Sequence, residues 1–211
     1  QVVKADAMIN DRVHVGPAEI SEVGQIVKVH QDSFPGFFLT FLGTRFMTLL
    51  YEDLCNCPSA VLLVARRGGR VVGFAGGVEN ESSYFASLKQ RRAREFARAS
   101  MIAVARQPTI LPRLWRARRR DVEGSSVGPP ATLLTIGVSP EGQGLGVGAA
   151  LLNSFTQALR DRGIPVFTLT TDAVDNERAI RFYEAAGMRR VRTFKTPEGR
   201  VMFEFESLPA W

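Results

Sequence analysis

The chain of 211 residues has few of the residue types that hold a fold together through disulfides or metal ions, with only two cysteines and two histidines. The cysteines, Cys55 and Cys57, are too close for an easy disulfide and too few for a zinc site. We therefore interpret them as reduced thiols and expect no bound metal. His14 and His30 have no partner that the sequence reveals, and we interpret them as structural or surface groups.

Long apolar runs are also missing. The best candidate, residues 36–51, is interrupted by Arg45 and is too short to span a bilayer. No secretory signal is recognisable at the start, so we expect a cytoplasmic protein. A hydrophobic fraction of 45% and a charged fraction of 23% are ordinary for a globular chain. We therefore expect a single domain over residues 1–211.

The net charge of +6 comes from one part of the chain. Residues 89–120 contain eleven Lys or Arg and one acid, Glu95, which leaves 16 basic and 20 acidic residues elsewhere. Residues 80–130 have helical character broken at Pro108 and Pro112, followed by a loop rich in Gly, Ser and Pro. We interpret this part as an inserted, mostly helical basic segment.

The remaining periodicity predicts an α/β fold with a mixed sheet and helices on its faces. Elements alternate in the order β-α-α-β-β-(insert)-β-α-β-α-β-β. The predicted strands are residues 12–17, 60–66, 70–79, 131–138, 166–171, 188–195 and 200–206, and the predicted helices are residues 22–31, 39–54, 147–159 and 176–186.

A glycine-rich turn, Gln143 to Gly148, connects a predicted strand to a predicted helix. Glycine lets the backbone approach a ligand closely, and the unpaired N–H groups of the following helix favour a phosphate or pyrophosphate. A P-loop does not fit, because Ala149 follows Gly148 where lysine is required. The glycines at 144, 146 and 148 also miss the G-x-G-x-x-G spacing of dinucleotide sites. Alone, the turn fits a tight connection without a ligand equally well.

Two motifs together resemble one family. Residues 143–148 resemble the Q/R-x-x-G-x-G/A signature of GCN5-related N-acetyltransferases (GNAT), preceded by an apolar strand that ends at Val138. Residues 175–188 resemble the family's N-x-x-A-x-x-x-Y-x-x-x-G-F segment, with Met188 in place of the usual Phe. The resemblance implies an acyl-CoA N-acyltransferase fold, here with a helical basic insert at about residues 80–130.

The resemblance also implies acetyl-CoA as co-substrate, bound in a V-shaped opening between strands 131–138 and 166–171. The backbone of Ile136 and Val138 would bind the pantetheine arm, and the amides of residues 143–148 would bind the pyrophosphate. The full set of implied cofactor-binding residues is Ile136, Gly137, Val138, Gln143, Gly144, Leu145, Gly146, Val147, Gly148, Asn176, Ala179 and Tyr183.

For the chemistry, the resemblance implies direct attack of a primary amine on the thioester. A strand amide near residues 136–138 would stabilise the oxyanion, and the Tyr183 hydroxyl would protonate the leaving sulfur. The other interpretation of Tyr183 is a core residue, and that of Asn176 is a helix N-cap. Glu79 is the best candidate for a general base, although it fits an exposed strand-end acid as well, and a water chain is the alternative.

The acceptor is expected to be a small-molecule or peptide amine, and the motifs do not identify it. Five phenylalanines either line its pocket or pack into the core, namely Phe34, Phe37, Phe38, Phe41 and Phe46. Lys89 to Arg120 fits a solvated helix face, a site for an anionic membrane surface or phosphorylated substrate, or a homodimer contact. Nucleic acid is the least favoured partner, because no groove-reading motif accompanies the charge.

Two other functions remain open from the sequence. A non-catalytic acyl-CoA sensor would keep the glycine turn without a proton donor. An anionic-surface binding module would act through the basic insert. The presence of both Asn176 and Tyr183 favours an acyltransferase enzyme over the sensor.

Overall fold

The computed structural model describes residues 12–106, 131–197 and 199–209 and confirms the mixed α/β class. The strands are β1 (His14–Pro17), β2 (Ala60–Arg67), β3 (Arg70–Val78), β4 (Ala131–Val138), β5 (Phe167–Asp172), β6 (Arg189–Lys195) and β7 (Val201–Glu206). The helices are α1 (Val23–Ser33), α2 (Phe38–Leu42), α3 (Thr44–Asn56), α4 (Glu81–Arg106), α5 (Val147–Arg160) and α6 (Glu177–Ala185), with 3-10 turns at Ile20–Glu22 and Pro140–Gly142.

The strands form one sheet in the order β1-β2-β3-β4-β5-β7-β6. The pair β4–β5 is parallel and the other pairs are antiparallel. Parallel neighbours need a long crossover, and α5 supplies it between β4 and β5. The antiparallel β2 and β3 are joined by the two-residue turn Gly68–Gly69, where both residues have positive φ.

Both faces of the sheet are buried under helices. On one face α5 and α6 cover a core that contains Phe155, Phe167 and Phe205. On the other face α1, α3 and α4 cover a second core that contains Ile26 and Phe74. Burial on both faces explains why the predicted central strands are continuous apolar runs rather than alternating ones.

The prediction of a single helix over residues 39–54 is wrong, because the structure has two helices, α2 and α3, separated by Gly43. Gly43 has φ 89° and ψ 168°, a conformation outside the helical region that glycine tolerates. The amide of Met47 then donates to the Gly43 carbonyl and starts α3. Apolar residues keep helical spacing across this break, so periodicity alone did not reveal it.

The first part of the basic segment is helix α4, whose arginines are partly used within the fold. The Arg91 guanidinium pairs with the buried Asp53 of α3 at 3.0 Å. Arg92 pairs with Glu52 at 3.3 Å and donates to the Leu49 carbonyl at 3.1 Å. Arg92 is also where α4 is kinked, with φ −127° and ψ 16°. These contacts fix α4 against α3.

The rest of the predicted insert, including Arg113 to Arg120, lies outside the described residues. The insert, the single domain over 1–211, and its anionic or dimer partners therefore stay predictions. None of the helices in the described ranges combines the length and hydropathy needed to cross a bilayer.

A buried polar pair lies between α1, α3 and the sheet. Nδ1 of His30 and the hydroxyl of Tyr51 are 2.6 Å apart, and His30 is only 3% exposed. The His30 ring also stacks on Phe74 with centroids 5.9 Å apart. Burial lowers the pKa of His30 to about 4, so the ring is neutral at pH 7. His30 is thus a structural residue, while His14 is exposed on β1.

This burial predicts acid sensitivity. Between about pH 6.5 and pH 4 the unfolded chain binds a proton on His30 that the native chain does not. The free energy of unfolding should therefore fall as the pH drops through this window, by up to about 3 kcal/mol. Urea denaturation across the window measures it, and His30→Gln should flatten the dependence. His14→Gln is the control and should leave the pH dependence of the unfolding free energy unchanged. If His14→Gln flattened this dependence and His30→Gln did not, the attribution to His30 would be wrong.

Candidate active site

Strands β4 and β5 are neighbours in the sheet for only a short distance. Ala131 pairs with Phe167 and Thr132 pairs with Thr168, and the described residues form no further pair between these strands. On its other side β4 carries a bulge at Leu134, since the register with β3 shifts by one residue there. Bulges bend the strand that contains them. The two strands therefore part beyond Thr132 and leave an opening between them.

The backbone of β4 faces this opening at alternate residues. The amide of Ser139 donates to the Val72 carbonyl at 2.9 Å, so it points toward β3. Because backbone groups alternate along a strand, those of Ile136 and Val138 point the other way, into the opening. The Ser33 hydroxyl donates to the Val138 carbonyl at 3.2 Å. Backbone donors and acceptors of β4 thus face the opening, and the Val138 carbonyl among them also accepts the bond from Ser33.

The glycine-rich turn lies at the same end of β4. Gly144 and Gly146 have φ 76° and 73°, and a Cβ at either would meet nothing within 4 Å. Gly146 is the N-cap of α5 and has no side chain to satisfy the first amides of the helix. Val147 and Gly148 follow as its first helical residues. The amide of Gln143 donates to the Pro140 carbonyl at 3.3 Å, so the unpaired N–H groups of the turn are those that follow Gln143. The helix dipole favours an anion there.

Helix α6 packs against this turn. A Cβ at Gly148 would lie 3.4 Å from the Phe182 ring, so the two helices are close. Nη1 of Arg178 donates to Oε1 of Gln143 at 2.9 Å. Sequence reasoning missed Arg178, which lies between two motif positions and carries no signal of its own. Only the fold brings it to the turn.

Asn176 connects the start of α6 to the end of β5. Its Nδ2 donates to the Thr171 hydroxyl at 2.6 Å and to the Asp172 carbonyl at 3.1 Å. Asn176 occupies the N-cap position, but its side chain does not cap the helix. The simple N-cap interpretation therefore does not describe this side chain, which instead positions α6 beside the opening.

Tyr183, near the end of α6, is packed into the core. It is 8% exposed, with ring centroids 5.2 Å from Phe182 and 5.6 Å from Phe205. Burial raises the pKa of Tyr183 to about 12, so its hydroxyl keeps its proton at neutral pH. Ala179, one turn earlier, is partly buried against the same core.

Glu79 is not brought to the turn. It follows Val78, which pairs with Thr132, whereas the turn follows Val138 at the other end of β4. Thr132 and Val138 are six residues apart along β4, which corresponds to about 20 Å of strand. The Glu79 carboxylate accepts a hydrogen bond from Arg162 at 2.9 Å, in a half-buried ion pair. Glu79 as general base stays a prediction.

The predicted phenylalanine cluster serves more than one purpose. Phe34 and Phe46 are partly buried and pack against His30 and Phe96 respectively. Phe37 and Phe41 remain 44% and 41% exposed. The side chain of Phe38 lies outside the described part.

One further contact on this side involves Phe37. The Arg200 guanidinium lies 5.7 Å from the Phe37 ring centroid and is ion-paired with Asp172 at the end of β5. The loop after α1 therefore meets the β6–β7 turn near the opening.

Comparison with known proteins agrees with this geometry. Residues 111–188 match the model of the acetyltransferase (GNAT) family. The chain is 37% identical over 87 residues to a mycothiol acetyltransferase of Nocardiopsis dassonvillei, covering 41% of this chain and 26% of the relative. A mycothiol acetyltransferase of Thermobispora bispora is 32% identical over 118 residues, covering 56% and 39%. The chain thus spans about a quarter to two fifths of the length of these relatives.

A solved structure resembles the whole described fold. The ribosomal-protein-alanine N-acetyltransferase of Brucella melitensis superposes with a TM-score of 0.61 at 16% identity, covering 92% of this chain and 99% of that one. At this identity the likeness shows the fold alone. The proteins named here act on different acceptors according to their names, so the fold does not fix the acceptor.

Proposed function

Because this chain belongs to the GNAT family of acetyltransferases, we propose that it transfers an acetyl group from acetyl-CoA to a primary amine. The parting of β4 from β5 beside the open turn carries the proposal. Pantetheine is an extended chain with amide groups and ends at a pyrophosphate. Such a ligand needs strand-like hydrogen bonding at one end and an anion site at the other, and this opening offers both.

The backbone of Ile136 and Val138 would bind the pantetheine amides. Gly137 keeps β4 close to Phe74, since a Cβ there would lie 2.7 Å from that ring. The amides of the turn would bind the pyrophosphate. The residues proposed for this turn are Gln143, Gly144, Leu145, Gly146, Val147 and Gly148. Asn176 and Ala179 would complete the site from α6.

The reaction is direct attack of a neutral amine on the thioester carbonyl carbon, which breaks the carbon–sulfur bond. An N–H group of β4 facing the opening would stabilise the negative charge on the carbonyl oxygen. The Tyr183 hydroxyl would donate its proton to the leaving sulfur. Its raised pKa suits a donor, because the hydroxyl stays protonated at neutral pH.

The proton lost by the amine needs an acceptor. Glu79, whose carboxylate is bonded to Arg162, is the candidate side chain, and a water chain is the alternative route. The acceptor itself is proposed only as a primary amine of a small molecule or peptide. Testing requires a panel that includes small amines, amino sugars and peptides with free N-termini.

Gly146→Glu should weaken acetyl-CoA binding. The substitution places a carboxylate on the open side of the turn, where it repels phosphate, so affinity should fall at least about tenfold. Isothermal titration calorimetry measures the change. Gly163→Glu is the matched control, because Gly163 has φ 75° and equally open surroundings at the other end of α5. Equal, native-like binding by both variants would place the cofactor elsewhere.

Tyr183→Phe should lower kcat by about a hundredfold with little change in KM for acetyl-CoA. The variant keeps the ring packed against Phe182 and Phe205 while removing the proton donor. Because the pKa is about 12, ionisation of Tyr183 should not lower the native kcat between about pH 7 and about pH 10. Steady-state kinetics over this range checks both results, and a native kcat in Tyr183→Phe would remove the residue from the mechanism.

Glu79→Gln should change kcat/KM by less than about threefold if water accepts the proton. Arg162→Gln is the control, because it breaks the ion pair between Glu79 and Arg162 but keeps the Glu79 carboxylate. It therefore separates the structural role of Glu79 from a role as general base. A loss of about a hundredfold in Glu79→Gln alone, with loss of the acidic limb of the pH profile, would instead establish Glu79 as the base.

A further inference from the structure

The glycine turn contains no cation, although its proposed ligand is an anion. Residues 143–148 contribute only backbone dipoles and the neutral Gln143 side chain. The family signature that this turn resembles allows either Gln or Arg at the first position, and this chain has Gln143. A polyanion bound here would therefore meet no full positive charge from the turn itself.

Arg178 supplies a guanidinium at this place from another part of the chain. Its Nη1 is held 2.9 Å from Oε1 of Gln143, across 35 residues of sequence. A neutral amide oxygen orients the guanidinium without cancelling its charge. Among the described residues no carboxylate forms an ion pair with Arg178, so its charge is available to an anion.

The position of Arg178 in α6 is locally unfavourable. It is the second residue of the helix, and the positive end of the helix dipole disfavours a cation in the first turn. A residue that breaks a local preference without a compensating ion pair is characteristic of a functional site. The open side of the turn at Gly144 leaves room for a ligand beside it.

We propose that Arg178 binds a phosphate group of the acetyl-CoA nucleotide. Although distant in sequence, it would supply the positive charge that the turn lacks at Gln143. This inference rests on the proposed function and adds a specificity residue to the same site. The guanidinium offers parallel N–H donors that match phosphate oxygens, and Gln143 fixes its orientation. Acetyl donors that lack a phosphate group should gain no affinity from Arg178.

Arg178→Gln should raise the Kd for acetyl-CoA about tenfold, because one charge-assisted contact is lost. The kcat/KM for S-acetylpantetheine, which has no phosphate, should equal that of the native protein. Acetyl-dephospho-CoA, which lacks the 3′-phosphate, shows which phosphate Arg178 contacts. If Arg178→Gln also weakens binding of this ligand, the contact is with the pyrophosphate. If Arg178→Gln binds this ligand as well as the native protein does, the contact is with the 3′-phosphate. Both results support the proposal.

Two further variants complete the test. The double variant Gln143→Arg with Arg178→Gln should recover most of the affinity, since it restores the charge at the turn. Arg181→Gln is the control, because Arg181 is an exposed arginine on the same helix. Native-like acetyl-CoA affinity in Arg178→Gln would overturn the proposal, as would an equal loss with S-acetylpantetheine. Absence of acetyl-CoA binding by the folded native protein would overturn the proposed function and this inference with it.

Discussion

Strands β4 and β5 belong to one sheet but are hydrogen-bonded over two residue pairs only. Unpaired backbone groups inside a protein are costly, so a sheet that gives up its pairing at the centre needs another partner for those groups. The bulge at Leu134 and the packing of Gly137 against Phe74 hold β4 in this shape. The opening is therefore built into the fold, and we propose that the pantetheine arm pairs with β4 as a strand does.

The helices on one face border this opening and complete the proposed site. Helix α5 begins at Gly146 and directs its free amides toward the end of β4. Helix α6 is tied to β5 through Asn176 and to the turn through Arg178 and Phe182. The two strands, the turn and α6 thus fix one another. The other face, with α1, α3 and α4, carries the buried His30–Tyr51 pair and supports β4 from behind.

The parts of this account that the sequence could predict are those set by neighbouring residues. The glycine turn, the strand before it and the helix after it follow from patterns within a few positions, and they are found where expected. The break at Gly43 depends on one backbone conformation that periodicity does not register. The contacts of Arg178 with Gln143 and of Glu79 with Arg162 join residues 35 and 83 positions apart. Such contacts depend on packing between elements, which local patterns do not contain.

The most direct test of the account is a crystal structure of this protein with CoA bound. We predict that the pantetheine amides hydrogen-bond to the backbone of Ile136 and Val138, with the pyrophosphate on the amides of residues 143–148 and the sulfur beside Tyr183. CoA bound away from the opening between β4 and β5, or lying in it with its phosphates remote from the turn, would contradict the account.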